Sequence, residues 1–248
     1  MSLRLEYSSA LDVGRARQNN EDAVLIDAGL GLCLLADGMG GYNAGEVASD
    51  MAVKAMREHF RQWLQGLSAA PDDGAVTRAL IDAAQEANRQ VFTAASTVPA
   101  YAGMGTTLVT ALFERSRVWI GHLGDSRAYR LRNGRMTQLS RDHSLLQEQI
   151  DAGLITPAEA AYALHRNLVT RAVGVEPEVV LEVHPHDVEV GDVILLCSDG
   201  LSDMLTDPQM AHVLQINKTL DEQAAALVDA ANAAGGRDNI SVILAKLH

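Results

Sequence analysis

Two apolar runs in this chain end the same way. "LCLLADG" at 32–38 and "VILLCSDG" at 193–200 look like buried strands, and each stops on an Asp-Gly pair, Asp37-Gly38 and Asp199-Gly200. Asp-Gly after a strand ordinarily marks a turn, because Gly accepts positive φ and Asp bonds its own backbone. Two more acid-bearing turns follow the pattern: "GDSR" at 124–127, holding Asp125 between two strand-like segments, and "GGRDN" at 235–239, holding Asp238 just before the last one. Taken singly, each is a turn. If the fold brings these strand ends together, four carboxylates share one place, and clustered carboxylates repel unless cations sit between them.

The donor chemistry narrows which cations. With oxygen ligands only, and no Cys or His at zinc spacing, the set suits hard divalent ions such as Mg²⁺ or Mn²⁺. A Gly beside Asp37, Asp125 and Asp199 lets a backbone carbonyl approach the same ion and leaves room for water. Upstream, "GRARQNNED" at 14–22 adds Glu21 and Asp22, preceded by Arg17. The planar fork of Arg17 could hold a phosphate while the acids hold water near the ions, or Arg17 is a solvated surface residue.

Around these turns the hydrophobic period alternates. Residues 4–11 and 23–37 read as strands, with Gly29 and Gly31 supplying a hairpin. After Asn43, which with Glu46 forms a plausible helix start, Val53, Met56, Phe60, Trp63 and Leu64 keep helical spacing. A second helix follows the "SAAPDDG" loop at 68–74, with Val76, Leu80, Ala84, Ala87 and Val91 on one stripe. Four strand-like segments come next, 106–114, 117–123, 126–132 and 135–139, and their order predicts a meander whose last hairpin turns on Asn133-Gly134. Residues 143–174 break the pattern with short helical pieces, one opening "TPAE" at 156–159, and read as an inserted, mobile flap. Strands resume at 179–190 and 192–199, a helix runs from "TLDE" at 219–222 to Gly235, and "NISVILAKL" at 239–247 closes the pattern. Strand runs with paired helices between them suggest layered α+β, two sheets packed together with helices outside.

With 248 residues, 48% of them apolar, and no long Pro-, Ser- or Gly-rich linker, residues 1–248 read as one domain. The longest apolar-plus-glycine run, Ala28 to Ala36, falls far short of the roughly 20 residues that cross a bilayer, and the first residues lack a secretory pattern. Cys33 and Cys197 lie inside apolar runs, where a thiol acts as a small hydrophobe. These features point to the cytoplasm. The net charge of −12 argues against nucleic acid or anionic membrane as a partner, so a phosphate-bearing substrate needs local positive charge from a few arginines or from metal ions.

Eight segments, in order along nearly the whole chain, resemble the metal-dependent protein phosphatases of the protein phosphatase 2C type in their short bacterial form. They are "RQNNED" (17–22), "LLADGMGG" (34–41), "GTT" (105–107), "GDSRAY" (124–129), "LSRDHSL" (139–145), "RNLVTRAVG" (166–174), "GDVILLCSDGL" (191–201) and "GRDNISVIL" (236–244). The resemblance implies a four-layer α-β-β-α sandwich, a central antiparallel β-sandwich flanked by helix pairs, with a flap insertion at about 143–174. It implies that Asp37 bridges two Mn²⁺ or Mg²⁺ ions, that Gly38 adds its carbonyl, and that Asp199 and Asp238 complete one ion. Asp22 and, less directly, Glu21 would hold metal-bound water, Arg17 would bind the substrate phosphate, and Asp125 would help form a third, weaker ion site. The activity implied is hydrolysis of phosphoserine and phosphothreonine by water activated between the ions, with no covalent enzyme intermediate, opposing a bacterial Ser/Thr kinase in signal transduction. That kinase, or its targets, would be the partner.

The match departs in two places. Eukaryotic relatives commonly carry His after the Asp-Gly of the bridging motif; here that position is Met39, an apolar side chain with no proton to give. In the flap, "ALHRN" at 163–167 keeps Arg166 and Asn167 but has Ala163 where bacterial relatives have His, so no flap role passes to His165. His143 is placed either for an exposed polar role or for a structural hydrogen bond, and His184 and His186 alone make a poor metal site. Two other functions stand as alternatives. An aspartyl-phosphate phosphotransferase would need a second acid two residues after Asp37, where Met39 stands. A catalytically weak phosphoprotein-binding domain of the same fold would not need its carboxylates complete at 22, 37, 199 and 238.

Overall fold

The structure is a computed structural model that describes residues 4–41, 44–156, 159, 168–216 and 218–248. Its strands are β1 (Leu5–Asp12), β2 (Asp22–Asp27), β3 (Leu32–Met39), β4 (Gly105–Thr106), β5 (Leu108–Glu114), β6 (Arg117–Leu123), β7 (Arg127–Arg132), β8 (Arg135–Gln138), β9 (Glu182–Asp187), β10 (Val193–Cys197) and β11 (Ile240–Leu247). They form two antiparallel sheets, in the order β1-β11-β10-β7-β8 and β2-β3-β5-β6-β9, with β4 pairing the end of β3. Helices α1 (Ala44–Gln65) and α2 (Asp73–Thr97) cover the second sheet. Helices α5 (Asp207–Gln215) and α6 (Leu220–Ala233) cover the first. Two short helices, α3 (Leu145–Asp151) and α4 (Asp199–Ser202), lie between them in sequence.

The four layers explain why β3 and β10 read as unbroken apolar runs. Side chains alternate across a strand, so Leu34 and Ala36 face the helices with Ala48, Met56 and Leu80, while Cys33 and Leu35 face the other sheet with Ile194, Leu196 and Ile243. Neither face of the strand is left in water. The helical stripes fall as their spacing predicts: Val53, Met56 and Phe60 of α1 and Val76, Leu80, Ala84, Ala87 and Val91 of α2 are buried, whereas Leu64 ends its stripe exposed. Asn43, the expected helix start, is outside the described residues.

The expected meander is incorrect. β5 pairs with β6 and β7 with β8, but β6 takes β9 on its other edge and β7 pairs with β10 in the opposite sheet. Because both edges of β6 are filled, the chain leaves the sheet at Gly124, whose φ of +100° suits a residue without Cβ, and crosses to the first sheet through Asp125 and Ser126. The Asn133-Gly134 hairpin is as expected, with both residues at positive φ. In the flap region, Ser144 caps α3, and Thr156 and Glu159 exchange the hydrogen bonds of a capping box. The remaining flap expectations, at Pro157, Ala163, His165, Arg166 and Asn167, fall outside the described residues.

Candidate metal and phosphate site

The backbone brings the two Asp-Gly ends together by close approach. A Cβ on Gly38 would overlap the carbonyls of Gly45 and Glu21, and one on Gly200 would overlap the carbonyl of Asn239. Glycine after each Asp is therefore what lets β3 lie against α1 and α4 lie against the turn before β11. In this register Asp37 stands directly opposite Asp22 across the β2–β3 pair.

Asp37 is anchored through its backbone. Its N–H donates to Thr107 Oγ1 at 2.9 Å, and its carbonyl accepts from the Thr107 N–H at 2.9 Å and from Thr106 Oγ1 at 2.9 Å. Thr107 Oγ1 also shares a 2.7 Å hydrogen bond with Ser126 Oγ, beside Asp125. The Thr-Thr pair thus ties the strand end to the inter-sheet crossing. On the far side, Asn239 Oδ1 accepts from the Glu21 N–H at 2.8 Å, while its Nδ2 donates to the carbonyls of Val13 at 3.0 Å and Asn19 at 2.9 Å. Those three bonds fix the 13–21 loop against the turn that carries Asp238.

Arg17, Glu21, Asp37, Gly38, Asp125, Asp199 and Asp238 all line one open pocket of about 210 Å³. Asp22 lies buried beside it, its Oδ2 accepting from Ser198 Oγ at 2.9 Å. Every site residue expected from the sequence is thus gathered in one place. Thr107 and Asn239 line the same pocket and are not among the residues expected from the sequence; Asn239 stands next to Asp238, whereas no acid flanks Thr107 to mark it.

The charge is one-sided. Among the described residues of the lining, five carboxylates face one cation, Arg17, whose Nη2 donates to Asp238 Oδ2 at 2.7 Å. Burial, followed by repulsion from Asp22, Asp199, Asp125 and Asp238, pushes the Asp37 carboxyl well above the usual range. Burial and the surrounding acids, Asp125 foremost, do the same to Asp199. Asp22 and Asp125 are each pushed up to about 6, chiefly by burial. Asp22 Oδ1 and Asp199 Oδ1 are buried without a hydrogen-bond partner, a costly arrangement for a carboxylate. An all-oxygen donor set with orphaned buried oxygens and too few protein cations fits divalent metal ions.

Histidine chemistry lies elsewhere. His143 is buried, not exposed: its Nδ1 accepts the Gly124 N–H at 3.3 Å and its own N–H donates to the Gly124 carbonyl at 2.9 Å. Since a backbone N–H can only donate, Nε2 carries the ring proton and donates to Glu182 Oε2 at 3.2 Å. The ring stacks on His122, and donor atoms of His122, His143 and Glu182 lie within 4.8 Å of one another, yet this tautomer makes the group a hydrogen-bonded clamp on the Gly124 crossing. His184 pairs with Glu182 at 2.8 Å.

Comparison with known proteins agrees with the geometry. A family profile described as protein phosphatase 2C matches residues 14–240. The serine/threonine phosphatase stp of Listeria innocua is 37% identical over 236 residues, which cover 94% of this chain and 92% of that one. The crystal structure of the Mycobacterium tuberculosis serine/threonine phosphatase PstP/Ppp superposes with a TM-score of 0.88 at 37% identity, covering 98% of each chain. The catalytic domain of serine threonine protein phosphatase PstP in complex with two manganese ions superposes with a TM-score of 0.86 at 36% identity, covering 99% of each.

Proposed function

The chain belongs to the protein phosphatase 2C family, and from that premise we propose how its own residues divide the work. The protein is a metal-dependent serine/threonine phosphatase, a hydrolase acting on phosphorylated proteins with Mn²⁺ or Mg²⁺. Asp37 and the Gly38 carbonyl would hold the ion pair, Asp199 and Asp238 would complete one ion, Asp22 and Glu21 would hold water around them, and Asp125 would serve a third, weaker ion. When bound, the two ions supply the Lewis acidity that activates water and offsets phosphoryl charge. The observation that carries this division is the excess of carboxylates over cations in a pocket with orphaned carboxylate oxygens beside it.

Arg17 grips the substrate phosphate. It is half exposed at the pocket rim and held by Asp238, so its fork is preset where a phosphoryl group enters. Among the described residues of the lining the carboxylates are assigned to the ions, and no hydroxyl or thiol is free to attack. The one hydroxyl there, on Thr107, is committed to the Asp37 N–H and to Ser126, and burial pushes both thiols up, Cys197 to about 12. In this reading water is the attacking group. Met39, in the lining, gives no proton to the leaving oxygen.

Residues 1–248 form a single catalytic domain in this reading, opposing a Ser/Thr kinase in the cytoplasm as part of signal transduction. Two free, buried cysteines and the strong negative charge support that setting. No helix among the described residues is long and apolar enough to cross a membrane. The test is phosphate release from a phosphothreonine peptide with Mn²⁺ and after chelation. Release that depends on Mn²⁺ is expected, and undiminished release in chelator would overturn the assignment of the acids to metal.

A further inference from the structure

Beside the acid pocket runs a second depression, of about 450 Å³, with apolar walls formed by Met39, Leu123, Val169, Ala172, Val175 and Val180. Met39 and Val169 line both, so the two share a wall. Met39 pairs with Gly105 across β3–β4, and a Cβ on Gly105 would come within 2.8 Å of Val175 Cγ2 and 3.2 Å of Met39 Cε. The bare Gly105 backbone is thus what allows Met39 and Val175 to lie side by side. Val175 is 52% exposed and Val180 69%.

Scattered exposed valines are ordinary, but these are held in place by a device that the helix covering the sheet does not otherwise need. The segment that carries them, 174–180, has no helix or strand of its own. Asn88 of α2, fully buried, accepts the Gly174 N–H at 2.7 Å and donates to the carbonyls of Glu176 at 2.9 Å and Pro177 at 3.2 Å. Gln85, one turn earlier, accepts the Val179 N–H at 3.0 Å. Four backbone groups are fixed to one helix, and the valines are presented on a preorganised edge. Glu176 and Glu178 also line the depression, against one base, Arg171, and among the described residues neither glutamate is in an ion pair.

We propose that this depression is a substrate groove that receives an apolar side chain next to the phosphorylated residue, together with a neighbouring lysine or arginine. The inference rests on the phosphatase reading and narrows it to a class of phosphoprotein segment. Continuity with the catalytic pocket through Met39 and Val169 brings the occupant alongside the phosphate, and the unpaired glutamates set its charge. Met39 thereby acts as the apolar divide between phosphate and flanking side chain.

The test uses the Mn²⁺-loaded protein and compares kcat/KM for three kinds of substrate: p-nitrophenyl phosphate, phosphothreonine peptides flanked by Leu and Arg, and the same peptides flanked by Ala and Glu. Peptide constants are divided by each variant's own constant on p-nitrophenyl phosphate, which removes any general loss of folded or active enzyme. The Leu/Arg peptides are expected to be preferred about tenfold by the wild type. Val175→Ser with Val180→Ser is expected to cut that preference to about twofold, and Glu176→Lys with Glu178→Lys to move it toward the acidic peptides. A wild type indifferent to the flanks, or variants that keep its preference, would overturn the groove while leaving the phosphatase intact. Hydrolysis of the small ester with neither peptide cleaved would overturn the protein-phosphatase reading and the groove with it.

Discussion

The molecule treats buried acids in two ways. Asp192, 1% exposed, receives Nε and Nη2 of Arg132 at 2.7 and 2.6 Å and the Glu189 N–H at 2.9 Å, and Asp142 receives the fork of Arg127 at 2.6–3.0 Å. Although burial opposes it, that partnership holds the Asp192 carboxyl below the usual range. Asp37 and Asp199, by contrast, face mainly other acids and are pushed far upward. The same residue type, in the same sandwich, is neutralised by the chain in one place and, in the function proposed above, left for external cations in the other. Arginine marks structure; its scarcity marks the proposed metal site.

The largest expected effect breaks the second kind of site. Asp37→Asn and Asp238→Asn are each expected to lower turnover by at least about two orders of magnitude. Without metal, Asp37→Asn is expected to melt above the wild type, since it removes one of several repelling charges. Near-wild-type rates at low Mn²⁺ would erase the contrast between the two regions.

Next comes pH. With Asp22 and Asp125 raised to about 6 and unfolded aspartate near 3.9, the metal-free folded protein keeps protons that the unfolded chain has released between about pH 4 and 6. Its stability therefore falls as pH rises through that window, by on the order of 2 kcal/mol for one such group, and Mn²⁺ at neutral pH restores it. Urea melts at pH 5 and 7 with and without metal read this directly; a metal-free protein that gains stability over the same interval contradicts it.

Asp192→Asn tests the opposite region. It is expected to cost about 1–3 kcal/mol, discounted from a fully buried pair because Arg132 is partly solvated, with turnover kept. Loss of activity without loss of stability would show the two regions to be coupled. The smallest effect is at the rim, where Arg17→Ala is expected to raise KM by about tenfold and lower kcat less. An unchanged KM would return Arg17 to the solvated surface.

What could be read from the sequence was local. Asp37, Asp125 and Asp199 each announce themselves by the turn that follows a run of strand residues and Asp238 by the turn that precedes one, and the helical stripes of α1 and α2 follow from spacing alone. The crossing at Gly124 was not legible, because which edge of β6 is free depends on β9, some 60 residues further on. Nor were Thr107, Asn239 and Asn88, whose partners are distant: Asn239 reaches Glu21 across 218 positions. A buried amide that bonds remote backbone leaves no periodic trace.

The first strand, β1, pairs along its whole length with the last, β11, from Leu5↔Leu247 to Asp12↔Ile240. Arg17, Asp22 and Asp37 come early in synthesis, whereas Asp238 and the Asn239 that anchors their loop come more than two hundred residues later. Closing so long a stretch of chain delays the transition to the folded state, as expected for a topology dominated by non-local contacts. A chain that lacks β11 lacks both the partner of β1 and the Asn239 amide that ties Val13, Asn19 and Glu21 into one loop, so the early acids are held in place only once the late segment has docked.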